Sequence, residues 1–88
     1  MDEKEIYQKS VDKWGEEKQK IIAIEELSEL TKEITKDLRN KASKENLAEE
    51  IADVELMIEQ LKFIYQNKKE VLEHKAFKVK RLMERLEK

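Results

Sequence analysis

The sequence contains no cysteine and no proline, and it has only one glycine and one histidine among its 88 residues. Without cysteine it can form neither a disulfide framework nor a thiolate site. One histidine cannot build a histidine-based metal site or a catalytic triad within one chain, and one glycine cannot build a glycine-rich phosphate loop. Because glycine and proline interrupt helices, their scarcity predicts an all-α fold and argues against a strand-rich one.

Long apolar runs and an excess of one charge are also missing. The chain has 19 basic and 21 acidic residues, a net charge of −2, with the two signs interspersed. It therefore lacks a global basic field that would attract nucleic acid or an anionic membrane, and neither partner is expected. No segment is typical of a signal peptide or a membrane span, so the expected location is cytoplasmic.

Length and composition predict a single domain over residues 1–88. Charged residues make up 45% of the chain and apolar residues 39%, and a domain of this size buries only a modest fraction of its surface. Apolar stripes on three or four short helices exceed what one subunit can cover. We therefore expect an antiparallel bundle of three to four helices, completed by oligomerisation as a homodimer or homotetramer.

The first predicted helix covers residues 1–14. Asp2 is its expected N-cap, with Glu5 completing a capping box. Gly15 is the expected break, because it fits the left-handed residue that ends many helices.

Two longer helices follow. The first is predicted over residues 16–39, and a polar connection leads to the second, which ends near residue 65. Asn46 followed by Glu49 forms a capping box, while Ser43 is a competing start, so this helix begins somewhere from 43 to 47.

The last helix is the most basic part of the chain. A tight turn near Gln66 and a predicted cap at Asn67 imply that it descends as an antiparallel neighbour. Its bases include Lys75, Lys78 and Arg81. They have two interpretations, a solvated face with ion pairs or a clamp for phosphate groups.

Two similar acidic segments, residues 25–30 and 49–54, repeat with an offset of 24 residues. Each places two acids three positions apart, on one face of a helix and on the same edge of an apolar stripe. If the two helices pack antiparallel, the acids emerge on the same side and four carboxylates converge. Facing pairs are expected where residue numbers sum to between about 79 and 85. The four acids are Glu26, Glu29, Glu50 and Asp53.

Converging carboxylates repel one another, so they are tolerable only around a cation or when splayed into water. All-oxygen ligands favour a hard cation, Mg²⁺ or Mn²⁺, with open positions for water and phosphate oxygens. The alternative is a solvated acidic face. The second copy of the motif, in the same phase as the first, favours the metal site.

These two segments, preceded by Trp14-Gly15 and Gln19, resemble the paired acidic signature of the all-α nucleoside triphosphate pyrophosphohydrolases, the MazG-like family, and in particular its small phage-type and Firmicute-type members. The resemblance covers the chain from Trp14 to the basic last helix. It implies a helical bundle, dependence on Mg²⁺, and hydrolysis of a nucleoside triphosphate to monophosphate and pyrophosphate.

Carried over by position, the resemblance implies that the four repeated acids are the metal ligands. It also implies that Glu25 orients or deprotonates the attacking water. Some relatives carry a base-stacking aromatic residue one turn after the aspartate, whereas this chain has Met57 there. The candidate substrate-binding residues are Trp14, Gln19, Lys36, Lys75, Lys78 and Arg81. Trp14 has two interpretations, packing in the core or stacking on a nucleobase.

Two other classes compete with a hydrolase. One is a non-catalytic helical oligomerisation or adaptor protein with a solvated acidic face. The other is a carboxylate-bridged di-iron bundle, but that class normally needs Glu-x-x-His on two helices, and His74 follows no such pattern.

Overall fold

The computed structural model describes all residues, 1–88, and contains four helices and no strand. The predicted all-α class is confirmed, and the arrangement is a helical bundle. None of the four helices is both long and apolar enough to cross a membrane. The helices are α1 (Glu3–Trp14), α2 (Glu16–Leu38), α3 (Lys44–Tyr65) and α4 (Lys68–Leu86).

The centre of the fold is the pairing of α2 with α3, which is the most extensive contact between any two helices. A short turn joins them, so they run antiparallel. Much of each apolar stripe nevertheless stays exposed, for example Leu27 at 45%, Ile34 at 49% and Ile51 at 46%. The buried apolar side chains are few: Tyr7 of α1, Ala23 of α2, and Val54 and Met57 of α3. The hairpin therefore provides a rigid frame with a thin core, and α1 packs across both of its helices.

Gly15 separates α1 from α2, as predicted, but its conformation differs from the expected one. Its backbone angles are φ 88° and ψ 154°, an extended conformation with positive φ rather than the left-handed helical one. Such angles are essentially restricted to glycine. At the other end of α1, the Asp2 side chain accepts a hydrogen bond from the Glu5 amide at 2.8 Å, which confirms Asp2 as the N-cap.

The structure selects one of the two predicted caps of α3, and it lacks the predicted side-chain cap of α4. Ser43 caps α3, accepting a hydrogen bond from the Asn46 amide at 3.0 Å. Of the two starts that the sequence left open, the structure therefore has Ser43, and α3 begins at Lys44, within the predicted range of 43 to 47. Asn67 precedes α4, but its side chain makes no capping hydrogen bond. The turn at Gln66 is confirmed by its left-handed conformation, with φ 54° and ψ 42°.

Helix α4 packs far less than its short connection predicts. It contacts only α3, over a short stretch, and none of its side chains is buried. The radius of gyration is 15.9 Å, whereas a compact domain of this length has a radius of about 12 Å. The difference arises because α4 extends from the hairpin with its apolar side chains exposed, among them Leu72, Phe77, Val79, Leu82, Met83 and Leu86.

Candidate metal centre

Three carboxylates meet midway along the α2–α3 hairpin. Glu26 comes from α2, and Glu50 and Asp53 come from one turn of α3. One oxygen of each lies within 4.8 Å of one oxygen of the others. The facing pair Glu26 and Asp53 has residue numbers that sum to 79, at one end of the predicted range. The three side chains are half-buried, which is unusual for unpaired acids.

This proximity changes the acidity of the group. Burial raises the pKa of Glu26, and the charges of Asp53 and Glu50 raise it further. The close approach of the Asp53 carboxyl as a hydrogen-bond partner raises the pKa of Glu26 as well. Burial likewise raises the pKa of Glu50, followed by the charges of Asp53 and Glu29. A nearby cation would reverse these effects, since it favours the ionised forms.

The fourth predicted ligand, Glu29, lies at the rim. Its side chain is exposed and is not one of the three that converge. Its charge nevertheless raises the pKa of both Glu26 and Glu50, so it lies near enough to act on them. Glu25 is also exposed, beside Glu26 in sequence.

A fifth acid, Glu33, was not predicted. It is only 8% exposed, and its charge raises the pKa of Glu50. One of its oxygens accepts a hydrogen bond from the Lys36 ammonium group at 3.2 Å, while Oε2 is buried without a partner. A signal was present, because Glu33 follows Glu29 by four positions and Glu26 by seven, and this spacing keeps all three on one face of α2.

The donor set fits a hard divalent cation. Carboxylate oxygens are the ligands that Mg²⁺ and Mn²⁺ prefer, and three carboxylates leave positions for water or phosphate oxygens. Two buried carboxylate oxygens lack any hydrogen-bond donor, Oε2 of Glu50 and Oε2 of Glu33. Buried acceptors are normally satisfied, and a metal ion with its bound waters would satisfy both.

The predicted substrate-binding residues of α1 and α2 do not converge on one site. Trp14 is 48% exposed, so it is not a core residue, and the Lys13 ammonium group lies 5.3 Å from its ring centroid. Gln19 is buried, at 3% exposure, and Met57 at 6% is also part of the core. Lys36 is half-buried and tied to Glu33.

The basic residues of α4 are not brought to the acids within this chain. Lys75, Lys78 and Arg81 are exposed, and α4 packs on no helix except α3. Lys75 and Lys78 line a shallow groove of about 540 Å³ on α4 together with apolar side chains such as Leu82. The neighbouring charges that shift the pKa values of Glu26 and Glu50 are all carboxylates.

No family model, no curated protein and no solved structure matches the chain.

Proposed function

We propose that this protein is a Mg²⁺-dependent nucleoside triphosphate pyrophosphohydrolase that converts a (d)NTP to a (d)NMP and pyrophosphate in the cytoplasm. The observation that supports the proposal best is the convergence of Glu26, Glu50 and Asp53 within 4.8 Å on two antiparallel helices. The unpartnered buried oxygen of Glu50 adds to it. The resemblance to the MazG-like signature supplies the reaction.

In this proposal the three converging carboxylates hold the cation, with Glu29 completing the set at the rim. Bound Mg²⁺, or Mn²⁺ in its place, supplies charge neutralisation at the triphosphate. Glu33 lies beside Glu50, where its free oxygen can accept a hydrogen bond from a water and keep Glu50 oriented.

Glu25 is the proposed catalytic residue. Its exposed carboxylate lies in the same turn of α2 as the proposed ligand Glu26, from where it orients or deprotonates the attacking water. The water oxygen bonds to the α phosphorus, the bond from that phosphorus to the bridging oxygen breaks, and pyrophosphate leaves. Terminal phosphoryl transfer is disfavoured, because one glycine cannot build the loop that cradles β and γ phosphates.

We also propose a homodimer or homotetramer, in which α4 packs on a second subunit. Only 7 of the 88 residues are buried in the single chain, and α4 has no buried side chain. The bases Lys75, Lys78 and Arg81 are then supplied to the neighbouring subunit, where they hold the leaving pyrophosphate. The neighbouring subunit would thereby bring to the acidic cluster the positive charge that its own chain does not supply.

A panel of nucleoside and deoxynucleoside triphosphates tests the activity. We expect pyrophosphate release that requires Mg²⁺ or Mn²⁺ and that stops when a chelator removes the cation. The Glu50→Gln variant is expected to be inactive at unchanged helical content. The absence of turnover with every nucleotide in the panel would contradict the proposal.

The alternative is a non-catalytic oligomerisation or adaptor protein, which is favoured by the exposed apolar and basic side chains of α4. In that case the carboxylates form a solvated face. Metal-dependent turnover separates the two functions, because an adaptor oligomerises without it.

A further inference from the structure

One side of α2 carries no charge, although 45% of the chain is charged. Six exposed positions between residues 24 and 38 fall within a sector of about 100° around the helix. Every charged residue of this stretch lies outside the sector. The six residues, which form the neutral face of α2, are Ile24, Leu27, Thr31, Ile34, Thr35 and Leu38.

The neutral face is open to solvent although it is apolar. Ile24 is 63% exposed and Leu38 is 80% exposed. The two threonines do not make it polar, because each donates its hydroxyl to a carbonyl one turn earlier in α2. Thr31 donates to the Leu27 carbonyl and Thr35 to the Thr31 carbonyl, both at 2.9 Å. The face can therefore be buried without leaving a hydroxyl donor unpaired.

The spacing of the neutral face is that of a seam between two paired helices. Five of its residues follow one another at steps of three, four, three and four, as the a and d positions of a heptad repeat do. The seam is also complementary to itself. When two copies run antiparallel about Thr31, facing residue numbers sum to 61 or 62. Ile24 then meets Leu38, Leu27 meets Ile34, and Thr31 meets its own copy.

Helix α3 widens this apolar surface. The Lys20 ammonium group lies 4.6 Å from the Tyr65 ring centroid, so the edges of α2 and α3 that carry these residues adjoin. Leu27 follows Lys20 by seven residues and lies on the same edge of α2. On α3, Ile58 and Ile51 lie seven and fourteen residues before Tyr65, and they are 41% and 46% exposed.

The combined surface is large enough for a stable contact between two subunits. From Lys20 to Leu38 the helix rises by about 27 Å, and two helices side by side are about 20 Å wide. Two such surfaces in contact bury about 1,000 Å² in total, which is the size that a specific interface needs.

We propose that the neutral face binds the neutral face of a second copy of this chain, with the two α2 helices antiparallel about Thr31. A seam without charges offers nothing to a partner selected by charge, whereas a second copy supplies a matching apolar seam. Glu29 lies about 160° from Thr31 around α2, so the pairing leaves the acidic cluster open. The contact is distinct from that of α4 and does not depend on the proposed activity, and the two contacts together give a homotetramer.

Single cysteines test the pairing, because the chain has no cysteine of its own. The full-length Thr31→Cys variant is expected to form a disulfide-linked dimer at least about tenfold faster than Lys32→Cys, since only the seam holds two thiols at a high effective concentration. Lys32 is the matched control for random collisions, because it is exposed on the next residue of α2, outside the neutral face. Equal rates would overturn the proposal.

Mixed variants test the register. Leu27→Cys and Ile34→Cys, combined before oxidation, are expected to crosslink at least about tenfold faster than Leu27→Cys alone. In the antiparallel pair the two copies of residue 27 are displaced by about 12 Å along the seam, which is too far for a disulfide. Faster crosslinking of Leu27→Cys with itself would indicate a parallel pair and contradict the proposal.

The mass of the assembly provides a second measurement. Thr31→Lys places two like charges against each other and is expected to halve the mass found by sedimentation equilibrium, at unchanged helical content, whereas Thr31→Val should leave the mass unchanged. Leu82→Glu, in α4, should not alter the rate of the Thr31→Cys crosslink, so failure of the α4 contact is distinguishable from failure of this one. An unchanged mass for Thr31→Lys would overturn the proposal.

Discussion

An oxygen of the Glu26 carboxyl on α2 lies within 4.8 Å of an oxygen of the Asp53 carboxyl on α3. Two helices thus hold like charges together at the centre of their contact, with Glu50 as a third. Such repulsion destabilises the metal-free fold and is relieved by proton or cation binding. This relationship underlies the first two predictions.

Asp53→Asn and Glu50→Gln are each expected to lower Mg²⁺-dependent activity by on the order of a hundredfold or more, because each removes a proposed ligand. Both should raise the melting temperature of the metal-free protein, since one repelling charge is lost. Activity assays and thermal unfolding in chelator measure the two effects. Glu55→Gln, an exposed acid of α3 outside the cluster, is the control. Unchanged activity combined with lower melting temperatures would mean that the carboxylates are structural.

The stability of the metal-free protein should depend on pH in a defined direction. The pKa values of Glu26 and Glu50 are raised above the ordinary 4.5. Between pH 4.5 and these raised pKa values, the folded state therefore binds more protons than the unfolded state. The contribution of these groups is therefore present in full below pH 4.5 and is lost as pH rises through the folded pKa values.

The difference in melting temperature between Asp53→Asn and the unmodified protein isolates this effect. It should be small near pH 4.5 and grow toward pH 7.5, because only the ionised cluster repels. Saturating Mg²⁺ should reverse its sign, because the cation stabilises the unmodified protein and not the variant that lacks a ligand. A difference that stays constant with pH would show that repulsion at Asp53 does not govern stability.

The cap of α3 gives a test that does not depend on function. Ser43→Ala should destabilise the fold by about 1 kcal/mol, because the amide of Asn46 loses its acceptor. Asn46→Ala should change stability by less than about 0.5 kcal/mol, since that side chain caps nothing. Denaturant unfolding compares the two. A larger loss for Asn46→Ala would move the start of α3 to the position that the capping box predicted.

The mass of the assembly tests the role of α4. Sedimentation equilibrium should give two or four times the chain mass of 10.6 kDa, because the apolar side of α4 is bare in one chain. Leu82→Glu should shift the protein toward monomer. Lys80→Gln makes the same change in net charge on the opposite side of α4 and should not. A monomer at micromolar concentration in the unmodified protein would contradict the proposed assembly.

The sequence predicted the helices well where a residue type dictates the backbone. Gly15 has the positive φ that glycine adopts readily, and the chain breaks there. The turn at Gln66 was predicted together with the cap expected at Asn67 instead, because glutamine does not by itself dictate a positive φ. The start of α3 was ambiguous for a physical reason. Ser43 and Asn46 are both good N-cap residues, so propensity alone does not rank them. In the structure the cap is Ser43.

The acidic cluster was predicted only in part. The repeat identified Glu26, Glu50 and Asp53, because helix periodicity and antiparallel pairing determine which side chains face one another. It missed Glu33, which has no counterpart in the second segment and whose burial depends on the neighbouring helix. The sequence also led to an overestimate of how closely α4 packs in one chain. An apolar stripe indicates that a helix is covered, but it does not identify the covering surface.

The most direct test of the proposed function is phosphorus NMR of a mixture of deoxynucleoside triphosphates incubated with the protein and Mg²⁺. The account predicts a pyrophosphate resonance that grows together with that of a nucleoside monophosphate, and that is absent with Asp53→Asn. Inorganic phosphate and nucleoside diphosphate as the products, or no product at all, would contradict it.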